Sequence, residues 1–208
     1  MIKLIVFDFD GTLVDSKPLL LPEVEKHLKK NGYKTTERFK HDFGDKPLGD
    51  ALKVLGVEEK VMPFLLKDAR NKFIRLAGKI KLAYGARELR LIKTKKIIIS
   101  NSIEEFIKIT LKKNKINFFS EIYGANRFKK KIVFMREIIK KKNLNLREVL
   151  YVGDRPIDAE LSRKIGCYCV LVNEVSWSSR RDIINSGADF VIEDLSNLNA
   201  IVNELNLN

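Results

Sequence analysis

The chain has 208 residues, with 40 Lys and Arg against 27 Asp and Glu, so its formal net charge is +13 at pH 7. Hydrophobic residues make up 45% of the sequence, which excludes a disordered chain and is typical of a globular protein. The 11 Gly and 5 Pro residues are too few for a collagen-like or low-complexity protein. The length suits one large domain, or a core with a small insert.

No apolar run approaches the roughly 20 residues that a membrane span needs, so we expect no membrane segment. The first apolar run, at residues 4–7, is followed by Asp8 and Asp10 and has the pattern of neither a signal peptide nor an anchor. Cys167 and Cys169 are too close for an ordinary disulfide and lack the usual zinc-site spacing. We expect both thiols to be buried in a strand, in a protein of the reducing cytoplasm.

The positive charge raises the question of a nucleic-acid partner. The lysines, however, are spread along the chain. A run such as Lys140, Lys141 and Lys142 falls where a helix is predicted to end, and cations there complement the helix dipole. A solvated, lysine-rich surface is therefore favoured, and a nucleic-acid partner stays an open alternative.

Short apolar runs alternate with amphipathic helical stretches, which predicts a parallel α/β sheet. The first run is continuously apolar, as expected for a strand covered on both faces. The predicted strands are Lys3 to Phe7, Lys96 to Ile99, Glu121 to Tyr123, Val149 to Val152, Tyr168 to Val172 and Phe190 to Ile192. The fold class that this order predicts is a doubly wound, Rossmann-like sheet.

Three amphipathic helices are predicted between these strands. Ser102 and Glu105 have the spacing of a capping box, which places a helix start at Ser102. A second helix carries apolar residues from Ile132 onwards and stops near Asn143, and a third is ended by Gly166 in a left-handed conformation.

Residues 16–83 show helical patterns and no convincing strand. The predicted helices cover residues 22–30, 47–55 and 59–77, and Pro63 fits the first turn of the last one. We therefore predict a small all-helical cap of residues 16–83, inserted after the first strand of an α/β core that comprises residues 1–15 and 84–208.

Polar side chains, together with one glycine, follow three of the predicted strands. These residues are Asp8, Asp10, Gly11 and Thr12 after the first strand, Ser100 and Asn101 after the second, and Asp154 and Asp158 after the fourth. Because the carboxyl ends of parallel strands share one edge, we expect these groups to meet there. Oxygen ligands alone suit a hard ion, Mg²⁺ first. One acid could then attack a phosphoryl group, while a second transfers a proton and Ser100, amides and a lysine hold the phosphoryl oxygens.

Simpler interpretations of the same residues stay open. A calcium loop is disfavoured because Gly11 comes too early and the twelfth position is Leu19 rather than Glu. Asp8 and Asp10 could instead form a turn, and Ser100 could only lead into the next helix. Asp158 could simply pack at a helix start.

Three stretches of the sequence, residues 7–16, 97–102 and 152–158, resemble the first, second and fourth motifs of the haloacid dehalogenase-like hydrolase superfamily. The first of these reads Phe-Asp-Phe-Asp-Gly-Thr-Leu-Val-Asp-Ser. The motifs occur in the family's order from one end of the chain to the other.

The resemblance implies a role for each matching position. Asp8 would be the nucleophile and Asp10 the general acid and then base. Mg²⁺ would be held by Asp8, the carbonyl of Asp10 and Asp154, with Asp158 in support. Ser100, Asn101, Gly11 and Thr12 would bind the phosphoryl oxygens.

The third motif departs from the family pattern. Family members have a lysine, often followed by proline, ahead of the helix that precedes the fourth motif. Here three lysines in a row, Lys129, Lys130 and Lys131, occupy that stretch without a proline. Lys131 directly adjoins the helical pattern and is favoured, with Lys129 next. Arg155, where the family often has a small polar residue, either touches substrate or faces solvent.

Asp10 distinguishes within the superfamily, since phosphatases and phosphomutases keep an Asp there, whereas transport ATPases carry Thr. The insert position resembles that of phosphoglycolate phosphatase-like members and β-phosphoglucomutases. Ala83-Tyr84-Gly85-Ala86 resembles the turn that leads out of such a cap. His27 and His41 lie in the cap region, where surface histidines are commoner than substrate ligands.

The expected function is therefore Mg²⁺-dependent hydrolysis of a small phosphorylated metabolite through an aspartyl-phosphate. The alternatives are a phosphomutase, a phosphatase acting on nucleotides or nucleic-acid ends, and a basic nucleic-acid-binding protein that has kept the fold. The sequence identifies neither the ester nor the oligomeric state.

Overall fold

A computed structural model describes residues 1–44 and 46–207 of the chain. The β-strands in these residues are β1 (Leu4–Phe7), β2 (Val14–Asp15), β3 (Lys81–Leu82), β4 (Lys95–Ile99), β5 (Glu121–Tyr123), β6 (Val149–Gly153), β7 (Tyr168–Val172) and β8 (Phe190–Ile192). Six of them form one parallel sheet in the order β5-β4-β1-β6-β7-β8.

The α-helices in the described residues lie between and after these strands. They are α1 (Lys17–Lys30), α2 (Glu37–Asp42), α3 (Leu48–Val54), α4 (Met62–Leu76), α5 (Glu104–Lys113), α6 (Lys131–Lys141), α7 (Pro156–Ile165), α8 (Arg180–Ile184) and α9 (Leu198–Leu207). None of the helices in this part of the chain is both long and apolar enough to span a membrane.

The strand order makes β1 the centre of the sheet. The chain passes from β1 to β4 and β5 on one side, and then returns to β6, β7 and β8 on the other side. The loops after β1 and its neighbours therefore diverge at the carboxyl edge, where open α/β sheets bind their ligands. The predicted fold class, a doubly wound Rossmann-like sheet, is confirmed.

Both faces of the sheet are covered, as the continuously apolar strands predict. Ile5 and Phe7 of β1 belong to the hydrophobic cluster on one face, whereas Leu4 and Val6 belong to the cluster on the opposite face. All four side chains are at most 1% exposed. This burial holds β1, and with it the residues that follow β1, in one position.

Helices pack against both faces of the sheet and complete the two hydrophobic clusters. α5 and α9 pack on the face of Ile5, through residues such as Phe106 and Val202. α6 and α7 cover the opposite face with Met135 and Ile165. Gly166 ends α7 at φ +94°, which is the left-handed cap that the sequence predicts.

A short antiparallel pair connects the helical insert to the rest of the chain. β2 pairs with β3, with Val14 opposite Leu82 and Asp15 opposite Lys81. The expectation of no strand in residues 16–83 is therefore wrong for Lys81–Leu82. Two residues are too few to show a strand periodicity, and only the tertiary pairing forms them into one.

The insert contains α1–α4, which lie between β2 and β3 in the chain. Its helices differ from the predicted ones at their ends, because α1 begins five residues earlier, at Lys17, and tolerates Pro22 inside it. The short helix α2 was not predicted. The division into a core and a cap at residues 16–83 stays a prediction.

The predicted capping box at Ser102 is wrong. The N-cap of α5 is Ile103, which has no side-chain cap, and the amide of Glu104 donates instead to Oδ1 of Asn126 at 3.1 Å. Ser102 is thereby released for a different contact, in the site described below.

Candidate active site

The carboxyl ends of β1, β4 and β6 bring the candidate residues together. Because these three strands are neighbours in the sheet, Asp8, Ser100 and Asp154 follow adjacent strands at one edge. The Asp8 amide donates to the carbonyl of Val152 at 2.8 Å, which continues the β1–β6 ladder into the site. The groups that the sequence predicted to converge do lie at one edge.

Asp8 is paired with a lysine from the start of α6. Nζ of Lys131 lies 3.2 Å from Oδ1 of Asp8 and 3.8 Å from Oδ1 of Asp158. Lys129 and Lys130 are exposed and make no such contact. Of the three lysines, Lys131 is thus the one that the structure places beside Asp8. It is the first residue of α6, and its side chain is 10% exposed.

Burial and opposite charge act against each other on this pair. Burial raises the pKa of Asp8, while the Lys131 ammonium lowers it, with a net rise. Burial disfavours the charge of Lys131, but Asp8 and Asp158 more than offset it, so that the pKa of Lys131 is raised. The lysine is therefore a permanent positive charge beside the Asp8 carboxylate.

Asp154 and Asp158 are fixed by hydrogen bonds from several elements. Oδ2 of Asp154 accepts from the backbone amide of Trp177 at 2.9 Å, and Oδ1 accepts from the Thr12 hydroxyl at 3.2 Å. Asp158 accepts from the Tyr151 hydroxyl at 2.9 Å and from the backbone amides of residues 154 and 155. Both carboxylates are nearly inaccessible to solvent.

Two glycines allow the acids to come this close. Gly11 has a φ of +76°, and a Cβ there would lie 2.4 Å from Oδ2 of Asp154. A Cβ on Gly153 would lie 2.5 Å from the carboxylate of Asp158. No larger residue fits at either position without moving an acid.

The three acids form a cluster that fits a divalent metal. Asp8, Asp154 and Asp158 each offer a carboxylate oxygen, and these oxygens lie within 4.8 Å of one another. Burial, followed by repulsion from Asp158 and Asp8, raises the pKa of Asp154 well above its ordinary value. Lys131 supplies only one positive charge against three acids, so a hard divalent cation would balance the rest. The donor set consists of oxygens, as such an ion prefers.

Asp10 has a separate environment from this cluster. Ser16 donates to its Oδ1 and Ser102 to its Oδ2, each at 2.5 Å. Burial raises the pKa of Asp10 to about 6, although the two serine hydrogen bonds partly oppose the rise. A carboxyl with such a pKa can donate and accept a proton near neutral pH.

Ser100 and Asn101 lie at the cavity, but Gly11 and Thr12 do not. Ser100 is 2% exposed, and its Oγ accepts from the amide of Ser102 at 3.2 Å. Asn101 donates through Nδ2 to the carbonyl of Gly44 in the insert at 3.3 Å.

The phosphate-binding role of Gly11 and Thr12 stays a prediction, and the contacts of the two residues do not favour it. The Gly11 amide donates to the carbonyl of Val14 at 2.9 Å, and the Thr12 amide donates to that of Phe9 at 3.3 Å. Because the Thr12 hydroxyl donates to Asp154, the donors of both residues are used in the turn and in holding Asp154. Both residues are buried and lie away from the cavity lining.

A cavity of about 200 Å³ opens over these groups, between the sheet edge and the insert. Its floor includes Asp8, Asp10 and Ser100, and its walls include Leu20 and Phe73 from the insert. A site of this size and form can hold a small ester beside a buried carboxylate.

Two residues of the core hold the insert over the cavity. Arg155 is 5% exposed and donates to the carbonyls of Phe43 and His41, at 2.8 and 2.5 Å. The Trp177 ring stacks on Phe43 with centroids 5.3 Å apart. Arg155 therefore does not face solvent, because its guanidinium donates hydrogen bonds to backbone carbonyls of the insert.

Ser16, Ser102 and Trp177 contact the acids of the site and are not among the predicted site residues. Ser16 closes the first motif and could have been found there, whereas Ser102 was interpreted as a helix cap. No signal in the sequence marked Trp177, because its position depends on the loop after β7.

His27 also differs from the expectation of a surface histidine, since it is 3% exposed and its Nδ1 lies 3.0 Å from Asp68. His41 is exposed.

The cysteines are both free and buried, as expected. Cys169 lies in β7, and Cys167 comes just before it. Burial raises the pKa of the Cys167 thiol to about 11, so this thiol stays protonated at neutral pH.

Comparison with known proteins agrees with this geometry. The phosphoglycolate phosphatase of Vibrio cholerae is 27% identical to the chain over 220 residues, which cover 97% of each protein. That of Synechococcus elongatus is 22% identical over 209 residues, again 97% of each. A haloacid dehalogenase-like hydrolase from Bacteroides fragilis has the same fold, with a TM-score of 0.82 and 20% identity over 95% of this chain and all of that one.

The family comparison covers most of the chain. The sequence model of the haloacid dehalogenase-like hydrolase family matches residues 5–172, which contain all the acids described above. Together with the relatives, this match confirms the prediction that the protein is an enzyme of the phosphatase class. The chain belongs to the haloacid dehalogenase-like hydrolase family.

Proposed function

We propose that the protein is a Mg²⁺-dependent phosphomonoesterase that acts on a small phosphorylated metabolite through an aspartyl-phosphate on Asp8. The observation that carries this proposal is the placement of Asp8. Its carboxylate is ion-paired with Lys131, adjoins Asp154, and lines a cavity that Asp10 and Ser100 also line. The shared cavity supports the roles that we propose for these residues, as nucleophile, proton donor and phosphoryl-binding group.

In the first step, an oxygen of Asp8 attacks the phosphorus of the ester. A bond forms between that oxygen and phosphorus, and the bond from phosphorus to the leaving-group oxygen breaks. Asp10, held by Ser16 and Ser102, gives its proton to the leaving oxygen, so that the product departs as a neutral alcohol.

In the second step, Asp10 accepts a proton from a water molecule that attacks the phosphorus. The bond between phosphorus and Asp8 breaks, which frees inorganic phosphate and restores both acids. In both steps Lys131 and the Ser100 hydroxyl stabilise the negative charge on the phosphoryl oxygens. Leu20 and Phe73 limit the entry of bulk water.

Asp8 and Asp154 would hold Mg²⁺, with the carbonyl of Asp10 as the third ligand and Asp158 in support. When bound, the ion supplies positive charge that lowers the repulsion between the Asp8 carboxylate and the phosphate.

Phosphoglycolate is the first substrate to test. Several relatives are named phosphoglycolate phosphatases, and each of the two described above is covered over 97% of its length. A cavity of about 200 Å³ also suits a small leaving group better than a macromolecule.

The test of the chemistry is phosphate release from p-nitrophenyl phosphate and 2-phosphoglycolate by the wild type, Asp8→Asn and Asp15→Asn. Asp15 lies in β2 outside the cavity lining and is the matched control. We expect activity in the wild type and the control, and its loss in Asp8→Asn. Full activity in a folded Asp8→Asn variant would refute the aspartyl-phosphate.

Product analysis with sugar phosphates separates the phosphomutase alternative. We expect free phosphate as the product, and transfer of the phosphoryl group to a second hydroxyl of the sugar would favour the mutase.

The metal requirement has a test that does not depend on turnover. Mg²⁺ binding to the folded state raises the thermal unfolding temperature when the ion is in excess of its Kd. We expect Mg²⁺ to stabilise the wild type after treatment with EDTA, and to stabilise Asp154→Asn much less. An equal rise in both proteins would show that the ion binds elsewhere.

A further inference from the structure

Helix α4 has an arginine on the face that lines the active-site cavity. Leu66, Arg70 and Phe73 are spaced four and three residues apart, so they share one face of the helix, and all three line the cavity. An arginine between two apolar residues interrupts what would otherwise be an apolar wall.

This face of α4 is anchored over the first motif. The ring of Phe73 lies 6.3 Å from that of Phe106 in α5, and Phe106 in turn lies 5.9 Å from Phe9, between the two acids of the motif. Arg70 is therefore carried by a helix whose position over the site is set by aromatic packing rather than by Arg70 itself.

Arg70 has no counter-ion within the described part of the chain. Asp50, the insert carboxylate in the same cavity lining, is paired with Lys53 at 3.4 Å. Of the other cations in the lining, Arg155 is used by the carbonyls of His41 and Phe43. Lys46 is exposed and also lines a neighbouring cavity of about 270 Å³. Arg70 is exposed as well, and it also lines another cavity, of about 700 Å³.

The direction of the leaving group follows from the proton donor. The oxygen that departs from phosphorus has to lie within hydrogen-bond reach of Asp10. Asp10 lines the cavity that contains Arg70, and it is not part of the lining of the neighbouring cavity. The rest of the leaving group therefore extends into the cavity that Arg70 and Lys46 both line, and the experiment below has to distinguish these two cations.

We propose that Arg70 determines specificity by binding an anionic group on the leaving group of the substrate. The class of substrate is a small phosphate ester with a second anion, a carboxylate or a second phosphate, because a guanidinium fork binds either of them with two parallel hydrogen bonds. This inference rests on the proposed function, because it assigns a binding residue to the part of the leaving group that lies away from the reacting phosphoryl group.

The experiment compares 2-phosphoglycolate with 2-phosphoglycolamide, which has nearly the same shape without the second charge. We expect the wild type to prefer the acid, by about tenfold to a hundredfold in kcat/KM, as for a hydrogen bond to a charged group. We expect Arg70→Gln to remove this preference, because it raises KM for 2-phosphoglycolate while kcat/KM for 2-phosphoglycolamide stays close to the wild-type value. Arg70→Lys keeps part of the preference.

A second pair of esters identifies the source of the anion. If the site takes a second phosphate rather than a carboxylate, then ethane-1,2-diyl bisphosphate is preferred over 2-hydroxyethyl phosphate, and that preference depends on Arg70. Either preference, lost in Arg70→Gln, supports the proposal.

Arg75→Gln and Lys46→Gln are the controls. Arg75 lies on the same helix, is exposed and is outside the cavity lining, and Lys46 is the other exposed cation in the lining. The proposal is overturned if the wild type shows neither preference, if Arg70→Gln affects charged and neutral esters equally, or if Lys46→Gln removes the preference instead. In each case the hydrolysis of p-nitrophenyl phosphate still reports on Asp8, so the proposed function is judged separately.

Discussion

Asp8 and Asp10 are two residues apart, yet their surroundings suit them to opposite tasks. Asp8 lies beside the Lys131 ammonium and the acid cluster, whereas Asp10 accepts hydrogen bonds from two neutral hydroxyl groups. The Lys131 ammonium opposes the rise that burial causes in the pKa of Asp8, whereas no ion pair joins a cation to Asp10 in the described part of the chain, and burial raises its pKa to about 6. The proposed separation of nucleophile and proton donor thus rests on single side-chain contacts.

The first prediction concerns the proton donor. Asp10→Asn keeps the size of the side chain and removes its ability to transfer a proton. We expect kcat to fall by about 10²- to 10⁴-fold for an ester with a poor leaving group. With p-nitrophenyl phosphate the loss is smaller, because nitrophenolate departs without a proton. An equal loss with both esters would mean that Asp10 acts in some other way than as the acid.

Glu104 provides a prediction for stability. Hydrogen bonds from Arg127 and Lys108 lower the pKa of Glu104 from 4.5 to about 2. A carboxyl whose pKa is lower in the folded state stabilises the fold above its ordinary pKa, and this contribution is lost as the pH falls from about 4.5 towards 2. Glu104→Gln should therefore lower the free energy of unfolding by about 1–2 kcal/mol at pH 7.

Urea titrations of the wild type and Glu104→Gln at pH 7 and pH 3.5 measure this difference. We expect the gap in unfolding free energy to narrow at the lower pH. A gap that stays constant with pH would contradict the role of the charge.

At the scale of elements, the active site depends on how α7 and the loop after β7 meet the insert. Arg155, the N-cap residue of α7, binds the backbone at the end of α2, and Trp177 stacks on Phe43. A Cβ on Gly44 would lie only 2.6 Å from the Trp177 ring, so the insert packs closely here. The same α7 also carries Asp158, so that one element joins the acid cluster to the insert.

The prediction at this scale is that Arg155→Leu loosens the insert. Two carbonyls lose their donor, which is expected to cost about 1–3 kcal/mol in unfolding free energy. KM should rise more than kcat falls, because the residue touches the insert rather than the reacting atoms.

Arg163→Leu is the matched control, since Arg163 is an exposed arginine of the same helix that donates to the carbonyl of Ser186. Steady-state kinetics and chemical denaturation of both variants provide the comparison. If Arg155→Leu changed kcat alone, or behaved as the control does, a role in holding the insert would be wrong.

At the scale of the whole molecule, the net charge of +13 leaves the nucleic-acid alternative to be tested. Lys46, Lys129 and Lys130 line a second cavity, whose lining includes Asp8 but not Asp10. Three phosphate contacts there would lower the affinity for duplex nucleic acid roughly 40-fold between 50 and 200 mM salt. We expect only such weak, salt-sensitive binding.

Fluorescence anisotropy with a labelled duplex measures this dependence, with the double variant Lys129→Gln/Lys130→Gln compared to Lys112→Gln/Lys113→Gln on α5. Tight binding that persists at 200 mM salt would favour a nucleic-acid-binding protein over the metabolite phosphatase.

Much of the fold and of the acid cluster was predictable because it depends on local sequence. The apolar runs of β1, β4 and β6 give the sheet, and the residues just after each run lie at its carboxyl edge whatever the rest of the chain does. Ends of helices in the insert were less predictable, as with Lys17 and the unpredicted α2, because several start residues have similar propensity and packing selects among them.

The sequence by itself determined the fold class, the family and the identity of the acids Asp8, Asp10 and Asp154, because periodicity and short motifs are local properties of the chain. The tertiary structure alone decided which of three successive lysines reaches Asp8, that Ser102 binds Asp10 instead of capping a helix, and that Arg155 and Trp177 hold the insert. It also decided that Arg70 lines the cavity, with no counter-ion among the residues that the structure describes. These depend on contacts between segments far apart in the chain, whose relative positions are set by packing of the whole core.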